Sequence, residues 1–199
     1  MKLIREDIYF DNPGKENTDE VIKAVKKRLN DVSVKYVIVA STTGDTALKL
    51  SDALGDSVKI VSVSESAYMV EWGAKYPCMN PDNKKELEKR GVIVADKVPY
   101  LFHSSPLEGG KWLAPSPDMI IRETLYSFGQ GMKVAVEVAM IAVACGYIEP
   151  FQDVIAIGGS GRGADTAVLL RATFPTLIFA KDDNKRLIIK EIIAMPRNK

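Results

Sequence analysis

The stretch Asp153-Val-Ile-Ala-Ile-Gly-Gly-Ser-Gly-Arg-Gly-Ala-Asp-Thr-Ala-Val-Leu-Leu170 decides how the chain is read. Asp153 to Ile157 is a short β-branched run suited to a strand buried on both faces. It runs straight into four glycines within the six residues Gly158 to Gly163. Such a loop can turn its backbone amides inward around an anion, and Arg162 adds a charged fork that matches phosphate. Residues 159–164, Gly-Ser-Gly-Arg-Gly-Ala, fit a GxGxxG/A spacing. A dinucleotide fingerprint normally follows the first strand, however, whereas this one follows the fourth. The continuation from Ala164 to Ala172 suits a helix or a strand equally.

Working outward, Lys35-Tyr-Val-Ile-Val-Ala40 reads as an earlier buried strand. It ends in Ser41-Thr42-Thr43-Gly44-Asp45-Thr46, after which Ala47, Leu50 and Leu54 keep helical spacing up to Gly55. Hydroxyls and the free amides of that helix start can donate to an anion, which the helix dipole also favours. Neither loop is a Walker loop, because no Gly-Lys-Ser/Thr follows. Each alone could be an ordinary tight connection; two loops rich in anion donors, both directly after strands, favour a ligand site. Asp45 and Asp165 share an Asp-Thr-Ala context, so each carries a contact to the ligand or caps its own turn.

Further strands are expected at Val58 to Val63 and Val92 to Ala95. Helices are expected behind Asn17, with Asn17 and Glu20 as a capping box, from Pro81 to about Arg90, and from Pro117 onward with an interruption at Gly129-Gln130-Gly131. Met132 to Cys145 is apolar except for Lys133 and Glu137, an i,i+4 pair, and is expected to pack across one face of the sheet. Residues 97–117, punctuated by prolines and by Gly109-Gly110, read as a long irregular loop. The tail Arg186 to Met195 is again helix or strand. Strands alternating with helices imply right-handed βαβ units, hence an α/β fold with a mostly parallel sheet and helices on both faces.

The chain has 199 residues, within the range of about 100–200 for one domain, and one domain is expected over its whole length. Its 27 basic and 26 acidic residues leave a net charge of +1, which gives no electrostatic pull toward nucleic acid. Two cysteines, Cys78 and Cys145, are too few for a disulfide framework or a thiolate metal cluster. The longest apolar stretch, Val138 to Cys145, is eight residues, far short of the ~20 a membrane span requires. A soluble, cytoplasmic protein is expected. His103, the only histidine, could touch a ligand from the loop after the third strand but is more simply incidental. Tyr68, Trp72 and Trp112 could stack on a ring or serve packing.

Lys35 to Leu50 resembles the strand, Ser/Thr-Gly loop and helix of the pyruvate kinase C-terminal domain, and Asp153 to Leu170 resembles its later strand, glycine loop and return strand. The chain is closer still to stand-alone, mainly archaeal proteins of the pyruvate kinase C-terminal-domain-like family. The markers there resemble Tyr9-Phe10, Gly14 to Thr18, Phe128 to Lys133, the Gly158–Ala167 loop and Glu191 to Arg197. Residues 65–118 match poorly. The resemblance implies a three-layer α/β/α sandwich whose five-stranded sheet has order 3-2-1-4-5 with strand 5 antiparallel, so that Ala164 to Ala172 would be a return strand. It implies that both loops flank one crevice and hold phosphate, from a sugar bisphosphate effector in pyruvate kinase and from flavin mononucleotide in the stand-alone relatives. The contacts it carries over are Ser41, Thr42, Thr43, Gly44, Asp45 and Thr46, with Gly158, Gly159, Ser160, Gly161, Arg162, Gly163, Ala164, Asp165 and Thr166.

Pyruvate kinase does its chemistry in a separate barrel, and 199 residues filled by this fold leave no room for one, so kinase activity is not expected. Three roles stay open: a protein that binds flavin mononucleotide, with the ring toward the 97–117 loop; a non-catalytic sensor of a phosphorylated metabolite; and a structural or oligomerisation domain. The expected partners are a phosphorylated small molecule or flavin nucleotide, with neither nucleic acid nor membrane, and self-association into a homo-oligomer is left open.

Overall fold

The chain's β-branched runs and amphipathic stretches assemble in a computed structural model that describes residues 2–111 and 114–199. The strands are β1 (Ile8–Phe10), β2 (Tyr36–Ala40), β3 (Lys59–Val63), β4 (Ile93–Ala95), β5 (Asp153–Gly158), β6 (Thr166–Arg171) and β7 (Ile188–Pro196). The helices are α1 (Thr18–Arg28), α2 (Asp45–Leu54), α3 (Pro81–Lys89), α4 (Pro117–Tyr126) and α5 (Gln130–Ala144). One sheet has the order β1-β7-β6-β5-β2-β3-β4.

The stretch β4-β3-β2-β5-β6 is the expected five-stranded order, parallel except for the antiparallel β6. Ala164 to Ala172 is thus a return strand, paired in register with β5 from Gly158↔Thr166 to Asp153↔Arg171. Two strands extend this sheet beyond the expected five. β7 lies antiparallel on β6, and β1 lies parallel on β7. A second difference concerns α1. Asn17 makes no side-chain cap but donates its Nδ2 to the Asn12 carbonyl at 2.8 Å, because a 3₁₀ turn over Lys15–Asn17 already leads into the helix.

Alternation along the central strands divides the core in two. Val37, Val39, Ile155 and Ile157 face α1, α2 and α3, meeting Val21, Val25, Ala47, Leu50 and Leu87. Ile38, Val61, Val154 and Ala156 face the other way, onto Met132, Ala135, Val136, Ala139 and Met140 of α5. Each such aliphatic side chain contributes roughly 1.5–3 kcal/mol when taken fully out of water. α5 is apolar on nearly every side and is correspondingly buried, since its outer flank is covered by α4 and the loop after β4.

Two glycines let α5 reach the sheet. A Cβ on Gly158 would stand 2.6 Å from the Ala135 amide nitrogen and overlap the Gly131 carbonyl oxygen. One on Gly131 would stand 2.8 Å from Thr166 Cβ and overlap Thr166 Oγ1 and Asp165 Oδ1. Gly131→Ala therefore overpacks a rigid contact, a defect that costs about 1–3 kcal/mol, or several degrees in Tm for a chain of this size. Gly109→Ala, where an added Cβ meets nothing within 4 Å, should leave Tm unchanged in the same thermal melts.

Candidate functional site

The two glycine-bearing loops leave the carboxyl edge of the sheet from adjacent strands, β2 and β5. From β2 the chain winds through β3 and β4, then returns to β5 on the opposite side of β2, so the winding direction reverses between these two strands. Open α/β sheets bind their ligands at such a switch point. A cavity of about 690 Å³ lies there.

The first loop is braced from within. Ser41 Oγ accepts from the Ala47 amide at 3.1 Å, which leaves the amides of Asp45 and Thr46 as first-turn donors of α2 without an intrahelical acceptor. Gly44 takes φ +96°, and a Cβ there would stand 2.8 Å from Asn83 Cβ and 3.0 Å from Met79 Sδ, so the turn packs tightly against α3. Asp45 accepts from Thr43 Oγ1 and from Asn83 Nδ2, each at 2.7 Å. Thr42 Oγ1 donates to Glu65 Oε1 at 3.2 Å.

The second loop is held from behind by Asp165, which is fully buried. Its carboxylate accepts from the Ser160 amide at 2.9 Å, the Gly14 amide at 3.2 Å and the Thr166 hydroxyl at 2.8 Å. Thr18 Oγ1 accepts from the Ala164 amide at 2.9 Å. Gly161 and Gly163 take φ +99° and +75°, the alternation that turns successive amides toward one side. The amides of Gly161, Arg162 and Gly163 lie between these anchors, and Arg162 is exposed and forms no ion pair with the described residues.

The expected site residues therefore divide. Ser41, Thr42, Thr43, Asp45, Thr46, Gly159, Gly161, Arg162 and Gly163 line one cavity. Gly44, Gly158, Ser160, Ala164, Asp165 and Thr166 shape or anchor the loops from outside it. Asp45 and Asp165 do share a role, since both brace a loop.

Other lining residues come from outside the two loops, and of these the sequence had pointed only to Trp72 and to the 97–117 loop that carries Tyr100. Gln130, Lys133 and Glu137 rise from α5 at i, i+3 and i+7; Glu65, Ser66, Met69 and Trp72 follow β3; Tyr100 follows β4, and Tyr126 ends α4. Lys133 and Glu137 form a buried ion pair at 2.5 Å, with side chains 3% and 5% exposed. Glu137 Oε1 also accepts from the Phe102 amide at 2.9 Å, and the Lys133 ammonium stands 4.9 Å from the Tyr100 ring centroid. The signal for this pair was present, as two charges on one stripe of an otherwise apolar helix. Glu65 had only its place just after a strand.

Aromatic side chains gather around the lining residues Trp72 and Tyr100. Trp72 stands edge-on to Tyr68, Tyr100 and His103 at 5.5–5.6 Å, and Tyr100 stacks on His103 at 4.4 Å. His103 Nδ1 lies 2.8 Å from an Arg122 nitrogen and 3.0 Å from Glu108 Oε1. Burial, followed by the Lys133 charge, holds its pKa below the usual histidine value. Trp112 lies outside the described residues. Burial raises the thiols of Cys78 and Cys145.

Burial also pushes the Glu65 carboxyl above its ordinary value of 4.5, against the opposing pull of the Thr42 hydrogen bond. A raised carboxyl pKa means that folding disfavours the ionised form. The cost is absent below pH 4.5, grows as pH rises toward the folded-state pKa, and is complete above it. Glu65→Gln should therefore raise Tm at pH 7.5 and leave it unchanged at pH 4, as measured by paired thermal melts.

A family model described as the pyruvate kinase alpha/beta domain matches residues 19–171, about three-quarters of the chain. The match opens inside α1 and stops at the last residue of β6, so it spans the five strands around the switch point, both loops and α5, and leaves β1 and β7 outside. No helix among the described residues is long and apolar enough to cross a membrane. The chain belongs to the pyruvate kinase alpha/beta domain family.

Proposed function

We propose that the chain binds a phosphate-bearing ligand, flavin mononucleotide in the first instance, in the cleft between the 41–46 and 158–166 loops. The observation that carries this reading is the convergence of two amide-rich loops and Arg162, which has no ion-pair partner among the described residues, on one cavity that Trp72, Tyr100 and Tyr126 also line. The phosphate sits against the amides of Asp45, Thr46, Gly161, Arg162 and Gly163, where two sets of oriented dipoles and a guanidinium favour a dianion. A flat ring then extends toward Trp72, Tyr100 and Tyr126, which lies in the direction of the 97–117 loop. At about 690 Å³ the cavity falls within the range of about 300–1,000 Å³ usual for sites that hold a ligand of this size.

A second reading, a non-catalytic sensor of a phosphorylated metabolite, is favoured by the way three of the cleft's charged groups are already committed. Lys133 and Glu137 neutralise each other, and both Asp45 oxygens are bonded within the loop. That arrangement suits holding a ligand better than moving protons on one.

Equilibrium dialysis separates these readings. Flavin mononucleotide should bind at least tenfold more tightly than riboflavin, the same ring and side chain without phosphate. Equal affinity, or no binding of either, removes the flavin reading, and a thermal-shift screen of sugar phosphates then tests the sensor. Arg162→Ala removes one charge-assisted contact of roughly 1.5–3 kcal/mol, so affinity should fall about tenfold or more while the ligand-free Tm stays put. Gly44→Val should both weaken binding and lower Tm, because its φ of +96° and its contact with Asn83 admit no branched side chain.

A further inference from the structure

Beyond the phosphate end, the segment leaving β3 presents Glu65 and Ser66 to the same cavity. Glu65 spends one oxygen on the Thr42 hydroxyl at 3.2 Å, and among the described residues Oε2 has no partner. Ser66 Oγ accepts from the Tyr68 amide at 3.3 Å, which leaves its own proton to donate. Of the three carboxylates that line the cleft, Asp45 is committed to Thr43 and Asn83, and Glu137 to Lys133 and Phe102. Glu65 is the one with an oxygen to spare.

A carboxylate beside a phosphate site is unfavourable unless the ligand brings hydrogen-bond donors to it, since like charges at close range repel. An acceptor on Glu65 next to a donor on Ser66 matches hydroxyl groups, each of which donates and accepts. We infer that Glu65, with Ser66, is the specificity-determining element of the cleft and selects phosphate monoesters whose carbon chain carries hydroxyls. This inference rests on the phosphate reading above. It applies alike to the sugar-alcohol chain of a flavin nucleotide and to a free sugar phosphate, which share that chemistry.

Calorimetry with glucitol 6-phosphate and n-hexyl phosphate tests it, because the two carry the same charge and chain length and differ in hydroxyls. EDTA in the buffer excludes a metal bridge between carboxylate and phosphate. The wild type should bind the polyol ester at least about tenfold more tightly, the size expected for hydrogen bonds to a charged group. Glu65→Ala should reduce that ratio to near one, Glu65→Gln should retain part of it, and Arg162→Ala should weaken both esters while leaving the ratio intact. Hexyl phosphate binding as well as the polyol ester, or a ratio that survives Glu65→Ala, overturns the inference and leaves the phosphate reading standing. Failure of both esters to bind overturns the two together.

Discussion

The cleft depends on how closely the first turn of α5 approaches the end of β5. At Gly158 that approach is backbone against backbone, facing the Gly131 carbonyl and the Ala135 amide, and at Gly131 it is backbone against the side chains of Asp165 and Thr166. A side chain on Gly158 does not fit without moving the helix, and one on Gly131 displaces Asp165 or Thr166. Because α5 is buried almost all round, it cannot move outward without opening the core it shares with β2, β5 and β6. The same contact puts Gln130 and Lys133 beneath the glycine loop, so the position of the loop and of the cleft's floor is set by one steric fact.

Charge within the cleft is arranged so that little of it is free. Removing either member of the Lys133–Glu137 pair would strand the other in a poorly solvated place, a defect typically worth about 3–5 kcal/mol. The pair also ties α5 to the loop after β4, through the Phe102 amide and the Tyr100 ring. Lys133 is therefore part of the wall and offers no open cation to a ligand. What remains for an anion is the backbone amides of two loops and the exposed guanidinium of Arg162. Fixed dipoles need no counter-ion and do not titrate, so they keep their sign in a cleft that three carboxylates also line.

The five central strands and the position of both loops were legible because buried parallel strands are written as unbroken β-branched runs, and because the glycine-bearing turns stand directly after them. Tyr36 to Ala40 and Asp153 to Gly158 are such runs. β7 was not legible for a physical reason: its pairing with β6 slips between Ala167 and Val168 and again between Leu169 and Leu170. Each slip exchanges the faces of the residues beyond it, so Ile188 to Met195 shows no period of two to read. β1 is three residues long and half-exposed, too short for any pattern. Within the site, Glu65 and Tyr100 sit on segments without periodicity, where only the fold brings them to the sheet edge. The split between lining and anchoring residues in the 158–166 loop was likewise invisible, since Asp165 and Arg162 are equally polar in sequence and lie on opposite sides of the backbone's turn.

The two strands that the family match omits are tied to the loop it includes. β1 leads into Gly14, whose amide donates to Asp165, and then into Thr18, whose hydroxyl accepts from Ala164. A Cβ on Gly163 would stand 2.8 Å from Lys15 Cα, so the N-terminal turn lies flush against the back of the loop. Among the described residues β7 is the one strand that pairs with β1, in register from Ile8↔Ala194 to Phe10↔Pro196. Arg28 reinforces this from α1, pairing with Asp7 and with Glu191 of β7 while almost entirely buried. A glycine loop has little conformational preference of its own, and its amides converge only if something outside it fixes the chain. Here that support is the β1–β7 pair, which makes the added edge of the sheet a determinant of the geometry at the switch point, some four strands away in the order of pairing but directly behind the loop in space.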